Sequence, residues 1–144
     1  MSQVRARRMD QIVEHRSRAV DRAEVETARH ARRTAAAAEL LARARDEWQA
    51  AMSLPASSRC SSADMMEANE YRLGARRRME VLETQERQAR AEEEVSRQAL
   101  RQARSALKKV ETWRDRIHQA AAAGDKLLEQ RASDELAARI ARTA

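Results

Sequence analysis

The residue types that could bind a metal ion are scattered along this chain. The three histidines, His15, His30 and His118, are not four residues apart, which is the spacing that places two imidazoles on one helix face. Cys60 is the only cysteine, so neither an intramolecular disulfide nor a cysteine cluster for a metal can form. The sequence therefore predicts no metal site.

Residues for acid–base or phosphate chemistry are equally dispersed. The 23 Asp and Glu residues lie in polar helical sequence, where carboxylates stay hydrated and do not form a desolvated acid–base couple. Glutamates four residues before an arginine, such as Glu86/Arg90 and Glu93/Arg97, indicate a solvated helix face. The two glycines are far apart, so no glycine-rich phosphate loop exists. We predict that the protein is not an enzyme and binds no cofactor.

The main break in the sequence lies at residues 53–63. This stretch holds the only proline, Pro55, the only cysteine and two pairs of adjacent serines, whereas proline-free runs rich in Ala, Arg and Glu flank it. Proline in a helix interior costs about 3 kcal/mol, and serine competes for backbone hydrogen bonds. The pattern predicts an all-α fold, a long antiparallel two-helix coiled-coil hairpin in one domain over 1–144. We expect helix 1 over about 3–52, the turn over 53–63 and a longer helix 2 over about 64–143, capped by Ser61 or Ser62.

Composition favours an extended coiled coil over a compact core. Charged residues make up 36% of the chain and aromatic residues 2%, and alanine supplies much of the apolar content. Alanine buries little area, which at about 25 cal/mol per Å² drives a compact core poorly. The apolar spacing of 3 and 4 is clearest from Leu100 to Leu128, whereas Glu24, Thr27, Ala31 and Thr34 form a thin middle in helix 1. The run of residues 120–125, which includes Gly124, is a candidate hinge.

A turn centred near residue 58 would pair residues whose numbers sum to about 116. On this register Met9 lies beside Leu107 and Trp48 beside Ala68, and helix 1 ends beside residue 113. About 30 residues of helix 2, or roughly 45 Å, would then lack a partner. Because a lone helix of this length is marginal in water, we expect it to self-associate or to enter another protein.

Positive charge is concentrated in two stretches that the expected pairing brings together. The chain has a net charge of +6, whereas residues 1–20 and 96–116 together carry +8. We interpret these residues either as a solvated arginine-rich face or as a basic collar for an acidic partner: Arg5, Arg7, Arg8, Arg101, Arg104, Lys108 and Lys109. The first residues are not a signal peptide and no apolar run reaches about 18 residues, so a cytoplasmic location without membrane insertion is expected.

Two stretches of the second helix resemble a known family. Residues 107–114 read LKKVETWR, which is similar to the K-x-x-E-x-hydrophobic stretch of the FliJ/YscO stalk proteins of type III secretion and flagellar export. Residues 129–137 read EQRASDELA, which resembles their C-terminal E-x-basic-x-x-D-E-hydrophobic-A signature. The strings in the second helix are closer to the injectisome branch than to the flagellar one.

This resemblance implies a non-catalytic protein that inserts into the centre of a hexameric secretion ATPase. Members of the family are similar in shape to the rotary-ATPase gamma subunit, link the ATPase to the export gate protein, and escort secretion chaperones. The implied location is cytoplasmic and peripheral to the bacterial inner membrane. The terminus end would enter the ATPase, and the turn end would face the gate.

The resemblance and the hairpin together give two sets of candidate binding residues. The set for the ATPase is Arg5, Arg8, Arg101, Arg104, Lys108, Lys109, Trp113, Ile117, Leu128, Asp134, Glu135, Leu136 and Ile140. The set for the export gate or a chaperone is Trp48, Met52, Met65, Met66 and Tyr71. Two alternatives stay open: a structural coiled-coil adaptor or dimer, and a basic helical protein that binds nucleic acid or a membrane surface. The scarcity of aromatic residues for base stacking disfavours nucleic acid as a partner.

Overall fold

A computed structural model of the chain describes residues 2–54 and 61–143, without the side chains of residues 2 and 3. Two helices form, α1 over Ser2–Met52 and α2 over Ser62–Thr143. They pack against each other in antiparallel directions and α2 is the longer, so the predicted all-α hairpin is confirmed. Pro55 and Cys60 of the expected turn lie outside the described residues.

The ends of the helices that meet at the linker are capped by local hydrogen bonds. The backbone N–H of Ser53 donates to the carbonyl of Gln49 at 3.0 Å and extends the last turn of α1. At the start of α2 the Asp64 N–H donates to Ser61 Oγ at 3.2 Å, and the Ser61 N–H donates to Asp64 Oδ2 at 3.1 Å. This reciprocal pair satisfies two backbone donors of the helix end and confirms Ser61 as the capping residue.

The chain divides into two compact units. Unit 1 contains Met1–Arg22 and Arg101–Ala144, and unit 2 contains Ala23–Leu100. In each unit a segment of α1 packs on a segment of α2 through side chains spaced by 3 and 4 residues, which is the period of a coiled-coil seam.

The seam of unit 2 has an apolar part and a polar part. Near the linker it contains Leu41 and Ala51, both buried, and Leu82, which is half-buried. In the polar part, which is further from the linker, the Thr27 hydroxyl lies 3.1 Å from the Ser96 hydroxyl and donates to the Ala23 carbonyl at 2.7 Å. The other seam residues of this polar part are also small or polar: His30, Thr34, Ala37, Glu86, Ala89 and Glu93. Glu24, which we expected in the seam, is exposed.

The seam of unit 1 is made of small and aliphatic side chains. Ala6 and Val20 of α1 are buried, and the half-buried α2 positions follow the predicted heptads from Ala103 to Ala121. Beyond Ala121 every described residue up to Thr143 is exposed. Leu128, which the heptad pattern included, therefore lies outside the packed seam.

The observed pairing corrects the predicted register by one heptad. Thr27 contacts Ser96, and Arg72 Nε donates to the Ala51 carbonyl at 3.0 Å; both pairs sum to 123, not to 116. The reason lies at the linker, because α2 begins at Ser62 but binds the end of α1 through Arg72, ten residues later. The hairpin is therefore not centred midway between the two helix ends. Trp48 lies across from Ala75 on this register, not from Ala68.

Gly124 lies within continuous helix, and a Cβ atom at this position would meet no atom within 4 Å. Glycine in a helix interior is less favourable than alanine by about 0.5–1 kcal/mol. We expect Gly124→Ala to slow amide hydrogen exchange of the surrounding turns about two- to fivefold without changing the packing of unit 1. Gly74→Ala, at an equally open position of unit 2, is the matched control and should leave exchange near residue 124 unchanged. Unaltered exchange in Gly124→Ala would contradict this expectation.

Candidate partner-binding surfaces

The C-terminal segment of α2, residues 122–143, is the first candidate surface. It is helical throughout and about 33 Å long, and its large apolar side chains are more than half exposed. The exposed fractions are 58% for Leu127, 63% for Leu128, 61% for Leu136 and 61% for Ile140. Surface leucines at this density in one segment indicate a binding site for another protein.

This segment is shorter than predicted. Asp10 of α1 lies 3.0 Å from His118 of α2. α1 therefore packs along α2 beyond residue 113, which is where the predicted register had placed the end of the helix pair. Ile117, assigned to the free segment, is half-buried in the seam of unit 1. The one-heptad error in the register explains both differences. Asp134 and Glu135 are exposed in the free segment, as expected.

The predicted basic collar does not form a single surface. All seven of its side chains are exposed, but Arg7 lines a groove with Ala121 and Ala122 of α2. Lys108 and Lys109 lie more than ten residues earlier on α2, or about 18 Å along the helix. Arg101 and Arg104 are further still and make polar or electrostatic interactions of their own. The collar was predicted from the pairing sum of 116, which placed Arg8 beside Lys108, and that sum is wrong.

The charge asymmetry itself remains after this correction. Unit 1 contains 16 basic and 9 acidic residues and has a net charge of +7, whereas unit 2 contains 13 basic and 14 acidic residues and has a net charge of −1. The excess positive charge therefore belongs to the unit that carries the free segment. A field of this sign attracts acidic protein surfaces and speeds their association.

A polar groove of about 340 Å³ lies on one flank of unit 1. It is lined by Ala6, Arg7, Asp10, His118, Ala121, Ala122 and Asp125. Nearby, Arg114 donates two hydrogen bonds to Asp115 Oδ1, at 2.8 and 2.9 Å, and these bonds raise the pKa of the Arg114 guanidinium above its ordinary value. Within residues 2–54 and 61–143, no group of three His, Cys, Asp or Glu residues is arranged to hold a metal ion. The groove is lined by alanines together with charged and titratable side chains from both helices.

Two large apolar side chains of unit 1 are exposed on the sides of their helices away from the Asp10–His118 pair. Trp113 is 60% exposed and Ile12 is 44% exposed. Tryptophan is enriched in binding hot spots. Trp113 thus remains a candidate for partner contact, at a position within the helix pair and not at its end.

A second apolar surface lies at the linker end of unit 2. Met52, Met65, Met66 and Tyr71 are at least half exposed, whereas Trp48 is half-buried against the seam. Leu54 and Leu73, each 45% exposed, extend this surface and were not among the predicted residues. Methionines adapt their shape to different partners, which suits a binding surface.

The buried glutamates of unit 2 were assigned to a solvated face, and this assignment is wrong. Glu86 and Glu93 are 7% and 8% exposed, while their ion-pair partners Arg90 and Arg97 are largely exposed. Both glutamates occupy seam positions, because counting back from Leu100 in steps of 4 and 3 reaches each of them. The seam spacing was a signal that could have identified them. A glutamate four residues before an arginine can occur on any face of a helix, so this spacing does not distinguish a buried glutamate from an exposed one.

Taken together, these features define a class of protein: a two-helix coiled coil with exposed apolar side chains at the linker end and along the end of its longer helix. None of the described helices combines the length and the hydropathy that a membrane-crossing segment requires.

The comparison with protein families assigns the chain to a family. Residues 5–144 match the family model described as flagellar FliJ protein, which covers nearly the whole chain, and the chain belongs to the FliJ family. It is therefore a protein of the flagellar and type III export apparatus, in a family whose members are structural components. No curated protein and no solved structure gives a match.

Proposed function

We propose that the protein is the central stalk of a type III secretion ATPase. Its C-terminal segment enters the hexamer, and the protein as a whole couples the hexamer to the export gate. The observation that carries this proposal is the helical segment 122–143, whose leucines and isoleucine are exposed at the end of a strongly basic unit. Belonging to the FliJ family supports an export partner for that segment.

The arrangement of the apolar residues supports a partner that surrounds the helix. Each residue advances about 100° around a helix axis, so Leu127, Leu128, Leu136 and Ile140 spread over about 220° of the circumference. A flat surface contacts roughly a third to a half of a helix. A central opening in a ring of subunits contacts all sides, which fits this distribution better.

Charge supports the same partner. The segment 122–143 has four basic and four acidic residues and is neutral, whereas unit 1 as a whole has a net charge of +7. The proposed contacts are therefore apolar along the segment and electrostatic below it, where Arg5, Arg8, Lys108 and Lys109 face acidic groups of the ATPase. Asp134 and Glu135 are proposed to bind basic groups deeper in the opening.

At the linker end we propose contacts with the export gate protein or with secretion chaperones. Met52, Met65, Met66 and Tyr71 supply an adaptable apolar surface there, extended by Leu54 and Leu73. Such a protein would work in the cytoplasm at the inner membrane, without inserting into it.

The test combines the purified chain with the purified secretion ATPase of the same export system. We expect binding of one chain per hexamer, measured by sedimentation, and an increased rate of ATP hydrolysis. Leu136→Glu places a charge within the apolar arc and should weaken binding at least about tenfold, or 1.4 kcal/mol. Gln130→Glu, on the polar side of the same segment, is the matched control and should bind like the wild type. Absence of binding by the wild-type chain would refute the proposal.

A second candidate function is a structural adaptor that dimerises through the same segment. It is favoured by the same exposed leucines, which two copies could bury against each other. The two candidates differ in the mass of the isolated protein. A monomer at micromolar concentration in sedimentation equilibrium would support the stalk, and a dimer that Leu136→Glu dissociates would support the adaptor.

A further inference from the structure

The polar part of the unit 2 seam repeats in a way that allows one helix to be displaced along the other. Thr27 and Thr34 of α1 are seven residues apart, and so are Glu86 and Glu93 of α2. All four are seam residues that are buried or half-buried. Because a coiled-coil seam repeats every seven residues, a displacement by one heptad returns every seam position to another seam position.

The two buried glutamates offer equivalent partners to one histidine. The contact of Thr27 with Ser96 places Glu93 across from His30, three residues further along each helix in opposite directions. One heptad of displacement would bring Glu86 to the same place. Each glutamate keeps the arginine four residues after it in either register, since that ion pair lies within α2.

The seam of α2 continues beyond the part that α1 covers. Counting back from Arg72 in steps of 4 and 3 reaches Ala68 and then Met65, which is 59% exposed. In the displaced register Ala51 would lie on Met65, and Trp48 would lie on Ala68. Apolar surface that is free in the observed register would then be covered.

Specific contacts that favour the observed register are few. Arg72 donates hydrogen bonds to the carbonyls of Ala51 and Leu54, and Thr27 contacts Ser96. On the flanks of the seam Arg45 pairs with Glu83 at 3.1 Å and Arg78 with Glu47 at 3.8 Å. Exposed ion pairs of this kind contribute little. In the displaced register Arg45 would instead approach Arg76, an unfavourable pair of like charges. The observed register should dominate, with the displaced one at about 0.1–10% of the population.

We infer that the two helices exchange between these two registers, and that the register sets the length of the partner-binding segment. In the displaced register α1 would cover α2 only as far as residue 114, seven residues before Ala121. Ile117 and Ala121 would then be uncovered. The free segment would lengthen by one heptad, about 10 Å. The second part of this inference rests on the proposed function, because it concerns the helix proposed to enter the ATPase.

Disulfide trapping tests the exchange without any partner. In a Cys60→Ser background, Ala44→Cys with Met79→Cys matches the observed register, and Ala37→Cys with Met79→Cys matches the displaced one. Both pairs keep Arg72. His30→Cys with Met79→Cys would need two heptads and reports only general unfolding. We expect oxidation of the first pair to be fastest and of the second to be at least tenfold faster than that of the third. Equal rates for the second and third pairs would overturn the inference.

A charge exchange on the flank provides an independent test. Arg45→Glu would repel Glu83 in the observed register and attract Arg76 in the displaced one, so the Ala37/Met79 cysteine pair should oxidise several times faster. Arg43→Glu makes the same change of charge at an outward position and should leave the rate unchanged. A rate that rises equally in both variants would overturn the inference.

Binding of the two trapped forms to the purified ATPase separates this inference from the proposed function. We expect the displaced form to bind more tightly than the observed form by at least threefold. Equal binding would refute the link between register and segment length while leaving the exchange itself intact. If the untrapped chain fails to bind, the proposed function is refuted and the trapping result stands alone.

Discussion

A chain that ends at Ala121 is expected to bind the secretion ATPase at least about 100-fold more weakly than the full chain. The deletion removes Leu127, Leu128, Leu136 and Ile140, all more than half exposed in the free protein. Full burial of one such side chain contributes about 1.5–3 kcal/mol, so loss of two exceeds the 2.8 kcal/mol of a 100-fold change. The measurement is a binding titration against the purified hexamer.

The same truncation should leave the helix pair intact, since burial in unit 1 ends at Ala121. Thermal unfolding of the shortened chain, followed by circular dichroism, should show a midpoint within a few degrees of the full chain. As a matched control, Val81→Gln and Val95→Gln remove exposed apolar side chains of unit 2 and should bind normally. Binding of the truncated chain within threefold of wild type would exclude segment 122–143 as the main contact.

Leucine in place of a buried seam glutamate is expected to stabilise the hairpin. Glu86 and Glu93 are less than a tenth exposed and lie across from Ala37 and His30 of α1, so each replacement exchanges a buried carboxylate for apolar burial. Replacing buried ionic groups by apolar side chains is often stabilising by about 1–4 kcal/mol. We expect Glu86→Leu and Glu93→Leu each to increase the free energy of unfolding by about 1–3 kcal/mol, measured by urea titration.

Glu70→Leu at an exposed position of α2 is the control for helix propensity and should change stability by less than about 0.5 kcal/mol. A destabilised Glu86→Leu variant would mean that the carboxylate makes a stronger contribution to packing than its burial implies. If the stabilised variants bind partners more weakly, the polar part of the unit 2 seam is kept for function at the expense of stability.

The fold was predictable from the sequence because its signals are local. The breakers at residues 53–63 separate two proline-free runs, and Ser61 with Asp64 forms the expected cap. The exposed Leu128, Leu136 and Ile140 were likewise predictable, since apolar residues near the end of the longer helix have no partner segment. Both conclusions need only helix propensity and the relative lengths of the helices.

The register was not predictable, because a heptad pattern matches itself after every seven residues. The predicted and observed registers, with pairing sums of 116 and 123, differ in the position of Arg72. In the observed register its guanidinium donates hydrogen bonds to the carbonyls of Ala51 and Leu54. An arginine at a seam position has no distinctive sequence signal. The errors for Ile117 and for the basic collar follow from the wrong register. The burial of Glu86 was missed because its position along the seam was not counted.

The two tryptophans provide a separate optical reporter for each unit. Trp48 is half-buried in unit 2, and Trp113 is 60% exposed in unit 1; the chain has no other tryptophan. Fluorescence of a Trp48→Phe variant reports on unit 1 alone, and that of Trp113→Phe on unit 2 alone. A partner that covers unit 1 should shift the emission of Trp113 to shorter wavelength and leave Trp48 unchanged. The protein can therefore be labelled for kinetics at either unit without attaching a dye.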